Sequence, residues 1–161
     1  YTHLENGKVM RNVSPEEREE ILQNHYDVHH QKLTFEVEKQ LDSYGKALII
    51  DCHSFPNIPH QRNLDKKASR PDICIGTDSF HTPVKLLHAA VEYFESAGFS
   101  VKVNSPYKGT IVPLKHYGKE NRVSSIMIEV NRKLYLTENF EKSSHYELVK
   151  EICQGFVKRK F

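Results

Sequence analysis

The feature that most constrains the fold is an unbroken aliphatic run, Ala47-Leu48-Ile49-Ile50, which lies between Gly45 and Asp51. A strand with one face in water alternates apolar and polar residues, whereas a strand covered on both faces is continuously apolar. The run therefore predicts a strand from Lys46 to Cys52 that is buried on both faces. Such strands belong to sheets that carry helices on each side.

Helix and strand signals alternate along the rest of the chain. Ser14, Pro15 and Glu17 form a capping signal for a long helix that is expected to end at Gly45. The residues expected to face the core along this helix are Leu22, Tyr26, His29, Leu33, Val37 and Leu41. Strands are predicted over 72–75, 99–103 and 124–130, with 134–136 as an extension or short continuation, and helices over 83–97 and 144–157. This order predicts one α/β domain over residues 1–161, with a mostly parallel, mixed sheet flanked by helices.

Composition narrows the classes of function. The chain has 23 Lys and Arg against 21 Asp and Glu, and its net charge of +2 is spread along the sequence, so no nucleic-acid partner is expected. The longest aliphatic run is far shorter than the roughly 20 residues that span a bilayer, so no membrane partner is expected either. Three cysteines among apolar neighbours, Cys52, Cys74 and Cys153, indicate buried free thiols and a cytoplasmic location.

Polar residues follow the predicted strands. Asp51 and His53 end the first strand, Asn104 follows the third, and Glu129 lies near the end of the fourth. Ligands of open α/β sheets bind beyond the carboxyl ends of the strands, so these side chains are expected to meet at one edge. Together with two long loops they are typical of a hydrolytic site. The alternative, which the sequence leaves open, is that these are the polar loop residues found at the edge of any parallel sheet and that they bind no ligand.

Two of these residues carry distinct chemistry. His53 can bind zinc through its imidazole, while Asp51 on the same side of the strand can orient either a neighbouring group or the ring itself. Glu129 lies in an apolar strand, where partial burial would raise its pKa toward values useful for general acid and base catalysis. Each residue also has an alternative role that involves no catalysis. His53 would then be a structural, hydrogen-bonded residue, and Glu129 would form an ion pair with Arg132 or face water.

Other catalytic arrangements have less support. His25 and His29 are four residues apart and could bind a metal from one helical face, but packing of His29 in the core is the favoured interpretation. Ser54 adjoins His53 in the sequence, and the chain contains no Gly-x-Ser-x-Gly motif, so a serine nucleophile is weakly supported.

Five motifs follow one another along the chain. They are Tyr26 with His30-x-x-Leu33, Ile50-Asp51-Cys52-His53-Ser54, Arg70-Pro71-Asp72-Ile73-Cys74-Ile75-Gly76, Asn104-Ser105-Pro106-Tyr107-Lys108-Gly109, and Ile128-Glu129-Val130-Asn131-Arg132-Lys133-Leu134-Tyr135. In this order they resemble the N-formylglutamate amidohydrolase family over about residues 1–140. The resemblance implies a zinc-carboxypeptidase-like (phosphorylase/hydrolase-like) fold. It also implies zinc-dependent hydrolysis of a small N-acyl amino acid such as N-formyl-L-glutamate.

The resemblance also implies roles for individual residues. His53 would be a zinc ligand supported by Asp51, Ser54 and His30, and Glu129 would be the catalytic base and acid. Asn104 and Tyr107 would face the substrate, with Arg132 or Arg70 binding its carboxylate.

Members of the family carry further zinc ligands upstream of the matched region, in a strand-and-loop segment that the chain is expected to lack. The chain alone is therefore expected to bind zinc poorly and to be weakly active. The alternative function is that of an inactive or truncated family member that acts as a binding or partner protein.

Overall fold

The computed structural model describes residues 3–4, 7–60, 63, 65–67, 69–159 and 161. The elements in chain order are α1 (Pro15–Ile21), a π-helical segment (Leu22–Asp27), α2 (Val28–Tyr44), β1 (Ala47–Phe55), β2 (Ile73–Gly76), α3 (Val84–Ser96), β3 (Val101–Val103), β4 (Val123–Asn131), a 3-10 turn (Arg132–Leu134) and α4 (Tyr146–Val157). The predicted helices and strands are confirmed. The proposed continuation of the last strand is wrong, because the chain enters the 3-10 turn directly after β4. None of the helices in the described part of the chain has the length and apolar character that a bilayer span requires.

The long N-terminal helix begins and ends at the predicted residues. The Ser14 hydroxyl accepts a hydrogen bond from the Glu17 amide, and the Glu17 carboxylate accepts one from the Ser14 amide. Gly45 closes α2 in the left-handed region with φ 68°. Of the residues predicted to face the core along this helix, only those in its second half do so. Tyr26 and His29 are exposed because α1 and the π-helical segment contribute no buried residue, and the helix covers the sheet only from about Leu33 onward.

The sheet is mixed, with strand order β1-β4-β2-β3. β1 pairs with β4 in parallel and β2 pairs with β3 in parallel, but β2 and β4 are antiparallel. The carboxyl ends of β1 and β4 therefore lie at one end of the sheet, which we call the β1/β4 end. Those of β2 and β3 lie at the other end. The expectation that all four strands deliver their polar ends to one edge is wrong. No described helix lies between β1 and β2, and the connection returns the chain in the opposite direction.

The two faces of the sheet differ in what covers them. One face packs against α3 and α4 in the main core, which contains Ile73, Ile75, Leu86, Ala90, Phe94, Ile126, Ile128 and Phe156. The opposite face has a smaller core under α2, formed by Val37, Ala47, Val112 and Val123 at the start of β1 and β4. Because successive side chains alternate between faces, the second halves of β1 and β4 add polar groups to this opposite face, which we call the polar face.

β1 forms one edge of the sheet, and this position corrects two expectations. Leu48 is 39% exposed, so β1 is not buried on both faces. Cys52 is exposed as well, whereas the sequence predicted it in the core. An edge strand has a neighbouring strand on one side only, which leaves its side chains more accessible than those of a central strand. Cys74 lies on the central strand β2 and is fully buried, as expected.

Candidate functional site

Three neighbouring strands place functional groups in one row across the polar face. The register aligns His53 of β1 with Glu129 of β4, and Glu129 with Cys74 of β2. Residues that are paired in register project from the same face of a sheet, so all three side chains lie on the polar face. Asp51 precedes His53 by two residues and therefore lies on that face too. The sequence missed Cys74 as a neighbour of the site, because its place depends on the pairing of β2 with β4.

Asp51 fixes the orientation of the His53 ring. One carboxylate oxygen of Asp51 lies 2.8 Å from His53 Nε2, and the other accepts a hydrogen bond from the Ile111 amide at 3.3 Å. A carboxylate that accepts the Nε2 proton leaves Nδ1 as the ring nitrogen that carries the lone pair. The His53 side chain is 52% exposed, so this nitrogen can be reached from outside. The predicted pairing of Asp51 with the imidazole is confirmed.

Glu129 is a buried carboxylate with an unpaired oxygen. The residue is 8% exposed, and among the described residues its Oε2 atom has no hydrogen-bond partner. Burial raises the pKa of Glu129 above its ordinary value, while His53 and Arg132 act to lower it and Asp51 acts to raise it. Glu129 is therefore not neutralised by a close ion pair, and the expectation of a partly desolvated carboxyl at this position is confirmed.

The segment after β3 returns across the polar face. Asn104 has φ 54° and exchanges hydrogen bonds with Thr77 just beyond β2, so it lies at the end of the sheet opposite to His53 and Glu129. The chain then reverses, and the Cys74 thiol donates to the Tyr107 carbonyl at 3.2 Å. The sequence grouped Asn104 and Tyr107 with the site, but only Tyr107 is brought to the β1/β4 end.

Gly76 allows this segment to pass close to β2. A Cβ atom at Gly76 would lie 2.3 Å from the Gly109 carbonyl oxygen and 2.4 Å from Met127 Cε. Both distances are shorter than any normal contact, so only a residue without a side chain fits here. Because Gly76 has no side chain, the segment that carries Tyr107 can lie directly against β2.

Arg70 and Asn63 meet at the Tyr107 hydroxyl. Asn63 Nδ2 donates to this oxygen at 2.9 Å and Arg70 Nη1 at 3.4 Å. The Tyr107 ring packs edge-on against Phe55 at 5.7 Å, and the Arg70 guanidinium lies 5.8 Å from the centre of each ring. Arg70 also donates to the Pro56 carbonyl. No periodicity or motif marked Asn63, because it lies in an irregular loop.

Arg132, Ser54 and His30 were also predicted to belong to the site, but the structure gives them different neighbours. Arg132 donates from Nε to the Ser54 hydroxyl at 3.1 Å and from Nη2 to the Ser54 carbonyl at 3.3 Å. Because Ser54 alternates with His53 along β1, its side chain projects from the face opposite to the site. The His30 ring lies against the Tyr26 ring with centroids 4.1 Å apart and planes tilted by 44°, and none of its described contacts is with β1 or β4.

A protein-family model described as N-formylglutamate amidohydrolase matches residues 2–136. The chain belongs to this family. N-formylglutamate deformylases of Pseudomonas putida and Pseudomonas aeruginosa are each 29% identical to it over 129 residues, or 78% of the chain. The alignment takes in 46% and 47% of these relatives, so the chain spans about half their length.

Two solved structures share the fold of this chain. The N-formylglutamate amidohydrolase of Ralstonia eutropha JMP134 is 22% identical with a TM-score of 0.80, and the match covers 93% of this chain and 55% of that one. A gene product of Agrobacterium tumefaciens is 18% identical with a TM-score of 0.65, and the match covers 98% and 60% of the two chains. At these identities the likeness establishes the α/β architecture alone.

The donor groups of the site fit only part of a catalytic zinc centre. A catalytic zinc takes three protein ligands and leaves one position open. His53, oriented by Asp51, is suited to be one such ligand. Across residues 3–4, 7–60, 63, 65–67, 69–159 and 161, however, no group of three or more His, Cys, Asp or Glu side chains could hold a metal ion. The described residues therefore do not form a complete zinc site, and the His25 and His29 pair does not form one either.

Proposed function

We propose that this protein is an amide hydrolase that removes the N-formyl group from an acidic amino acid, with N-formyl-L-glutamate as substrate. The observation that carries the proposal is the buried Glu129 carboxylate, whose Oε2 atom is unpaired and which lies in register with His53. The relatives named N-formylglutamate deformylase support the choice of substrate. Hydrolysis of this amide yields formate and L-glutamate.

Glu129 can serve both proton transfers of the reaction. As a water molecule attacks the formyl carbon, Glu129 Oε2 accepts its proton. The same carboxyl then returns that proton to the amide nitrogen as the bond between carbon and nitrogen breaks. A buried oxygen without a hydrogen-bond partner is free to take up a proton, and positioned acid–base groups accelerate reactions about 10²- to 10⁴-fold.

The test is the substitution Glu129→Gln, which keeps the shape of the side chain but removes its ability to take up a proton. We expect formate release from N-formyl-L-glutamate to fall about 10²-fold or more. Glu92→Gln is the matched control, because Glu92 is exposed on α3 and faces away from the site. Full activity of the Glu129→Gln protein would show that another group transfers the proton.

We also propose that His53 contributes one ligand to a zinc ion and that the architecture is related to that of zinc carboxypeptidases. The orientation of the ring by Asp51 supports this role, because metal-binding histidines commonly donate their other ring N–H to a carboxylate. No step above depends on the metal. The test compares the zinc content of the wild type and of His53→Ala after dialysis against a weak chelator. We expect less zinc in the variant, and equal zinc contents would contradict the role of His53.

A further inference from the structure

The orientation of the Asp51 carboxylate depends on a donor outside β1. The last torsion of an aspartate side chain is broad, so the residue does not fix the direction of its own oxygen atoms. In the described part of the chain, one of these oxygens lies 2.8 Å from His53 Nε2 and the other accepts a hydrogen bond from the Ile111 amide. If this amide pointed elsewhere, the carboxylate would be free to rotate and to release the His53 ring. The direction of the Ile111 N–H group therefore matters to the site.

Ile111 lies in an irregular segment, where no pairing of backbone groups holds its amide. Among the described residues, neither Thr110 nor Ile111 forms a hydrogen bond between two backbone groups. Val112 packs in the smaller core, which determines where the segment lies on the sheet. Apolar packing is not directional, so it does not set the direction of a neighbouring N–H group. A hydrogen bond is needed for that.

The buried Ser125 hydroxyl of β4 provides hydrogen bonds on both sides of this amide. Its oxygen lies 2.7 Å from the Ile111 carbonyl oxygen and 2.7 Å from Thr110 Oγ1. A hydroxyl has one proton, so Ser125 donates to the carbonyl and accepts from the Thr110 hydroxyl. The two bonds hold the residue before the Ile111 amide and the carbonyl after it. Because Ser125 is fully buried, water does not compete for them.

Ser125 is too far from His53 to act on the ring directly. It pairs in register with Ile49 of β1, which is four residues before His53. Four residues of a strand span about 13 Å. The described hydrogen bonds connect Ser125 to the ring only in steps, from Ser125 to Ile111, from Ile111 to Asp51, and from Asp51 to the imidazole.

We propose that Ser125 is a positioning residue whose hydroxyl fixes the direction of the Ile111 amide. The amide then orients the Asp51 carboxylate and, through it, the His53 ring. This inference rests on the proposed function, because it adds a residue to the same site. Ser125 itself touches none of the reacting atoms.

Amide NMR tests the positioning without any measurement of activity. Asp51→Ala provides the reference, because it gives the resonance position of the Ile111 amide when no carboxylate accepts from it. We expect Ser125→Ala to move the Ile111 amide resonance toward this reference and to shift the ring resonances of His53. An Ile111 resonance that stays at its wild-type position in Ser125→Ala would overturn the proposal.

A double-mutant cycle on formate release tests whether Ser125 acts through Asp51. Loss of a residue that supports a metal-binding histidine typically lowers activity or metal affinity about 10- to 100-fold. We expect kcat for N-formyl-L-glutamate to fall about tenfold in Ser125→Ala, with little change in KM. In an Asp51→Ala background the same substitution should cause no further fall, because the step it acts through is already lost. The same tenfold fall in that background would contradict the proposal.

Thr82→Val is the matched control for a general loss of stability. The Thr82 hydroxyl donates to the backbone carbonyl of Ser125 at 2.6 Å, so the substitution removes a hydrogen bond at the same residue without involving Ile111. We expect Tm to fall while kcat and the His53 ring resonances remain those of the wild type. Changes in these resonances as large as those in Ser125→Ala would assign Ser125 a structural role only.

Two variants of Thr110 keep the proposal testable if Ser125→Ala fails to fold. Thr110→Val removes one of the two hydrogen bonds of the Ser125 hydroxyl, whereas Thr110→Ser retains it. We expect the Ile111 amide resonance to move toward the Asp51→Ala position in the valine variant and to return in the serine variant. Identical resonances in the two variants would contradict the proposal. If the wild type releases no formate, the proposed function fails, and the NMR comparison alone decides this inference.

Discussion

Gly76→Ala tests whether the close approach of the segment after β3 holds the site together. The added Cβ would meet the Gly109 carbonyl oxygen at 2.3 Å and Met127 Cε at 2.4 Å. Met127 has a flexible side chain that can move, but the Gly109 oxygen belongs to the backbone. The segment must therefore shift as a whole, and Tyr107 and the Ile111 amide that binds Asp51 shift with it.

The loss of stability expected for Gly76→Ala follows from the close contact of the new Cβ atom with the Gly109 carbonyl oxygen. Overpacking of this kind destabilises proteins by about 1–3 kcal/mol, and we expect about 2 kcal/mol here. For a domain of this size, that corresponds to a fall in Tm of about 4–8 °C. Thermal unfolding followed by circular dichroism measures it. Formate release from N-formyl-L-glutamate should also fall in the same protein, because the displaced segment carries the Ile111 amide that binds Asp51.

Gly155→Ala is the control for this prediction. Its Cβ would lie 2.4 Å from the Tyr93 hydroxyl oxygen, a side-chain atom that can move only by giving up its hydrogen bond to the Ile152 carbonyl. Alanine in a helix is favoured over glycine by about 1 kcal/mol, which offsets the adjustment. We expect a Tm close to that of the wild type. Equal Tm values for Gly76→Ala and the wild type would refute the reasoning, since they would mean that the segment gives way at no cost.

Two further predictions concern stability. Burial acts to raise the pKa of Asp72, but hydrogen bonds from Ser100 and the ammonium of Lys133 outweigh it and hold the pKa below its ordinary value. The resulting stabilisation is complete above the unfolded-state pKa of about 3.9 and is lost as the pH falls through the lower folded-state pKa. Urea unfolding at acidic pH should therefore depend less on pH in Asp72→Asn, and identical pH dependence would contradict this. Phe94 is fully buried, so Phe94→Ala should lower the free energy of unfolding by about 3–5 kcal/mol, whereas the exposed Phe35→Ala should cost less than about 0.5 kcal/mol. Similar losses in the two variants would contradict the position of the main core.

Sequence patterns that depend on a few adjacent residues predicted the helices and strands well. The capping residues Ser14 and Glu17 and the left-handed Gly45 set the ends of the first helix, because a cap is determined by adjacent backbone groups. Glu129 was predictable as a desolvated carboxyl for a similar reason, since its neighbours in the strand are apolar. These inferences need no knowledge of what lies opposite in space.

The sequence predictions were wrong where the structure depends on contacts between residues that are far apart in the sequence. The direction of β2 relative to β4 is not encoded in the residues of either strand, and it moved Asn104 to the far end of the sheet. Periodicity placed Tyr26 on an apolar stripe, but a stripe is buried only where another element covers it. Asn63 had no local signal, since its role arises from the folding of one loop against another.

The antiparallel course of β2 has a consequence for how this site can change. The loop over 56–72 leaves β1 and enters β2 at the same end of the sheet, and Asn131 ties both its ends by donating to Asn57 and to the Pro71 carbonyl. Residues can be inserted between these ties without altering the strand register, and doubling the length of a loop costs only about 0.6 kcal/mol. The groups around the Tyr107 hydroxyl can therefore vary independently of Glu129. Such separation allows the length and sequence of this loop to change while the position of Glu129 is retained.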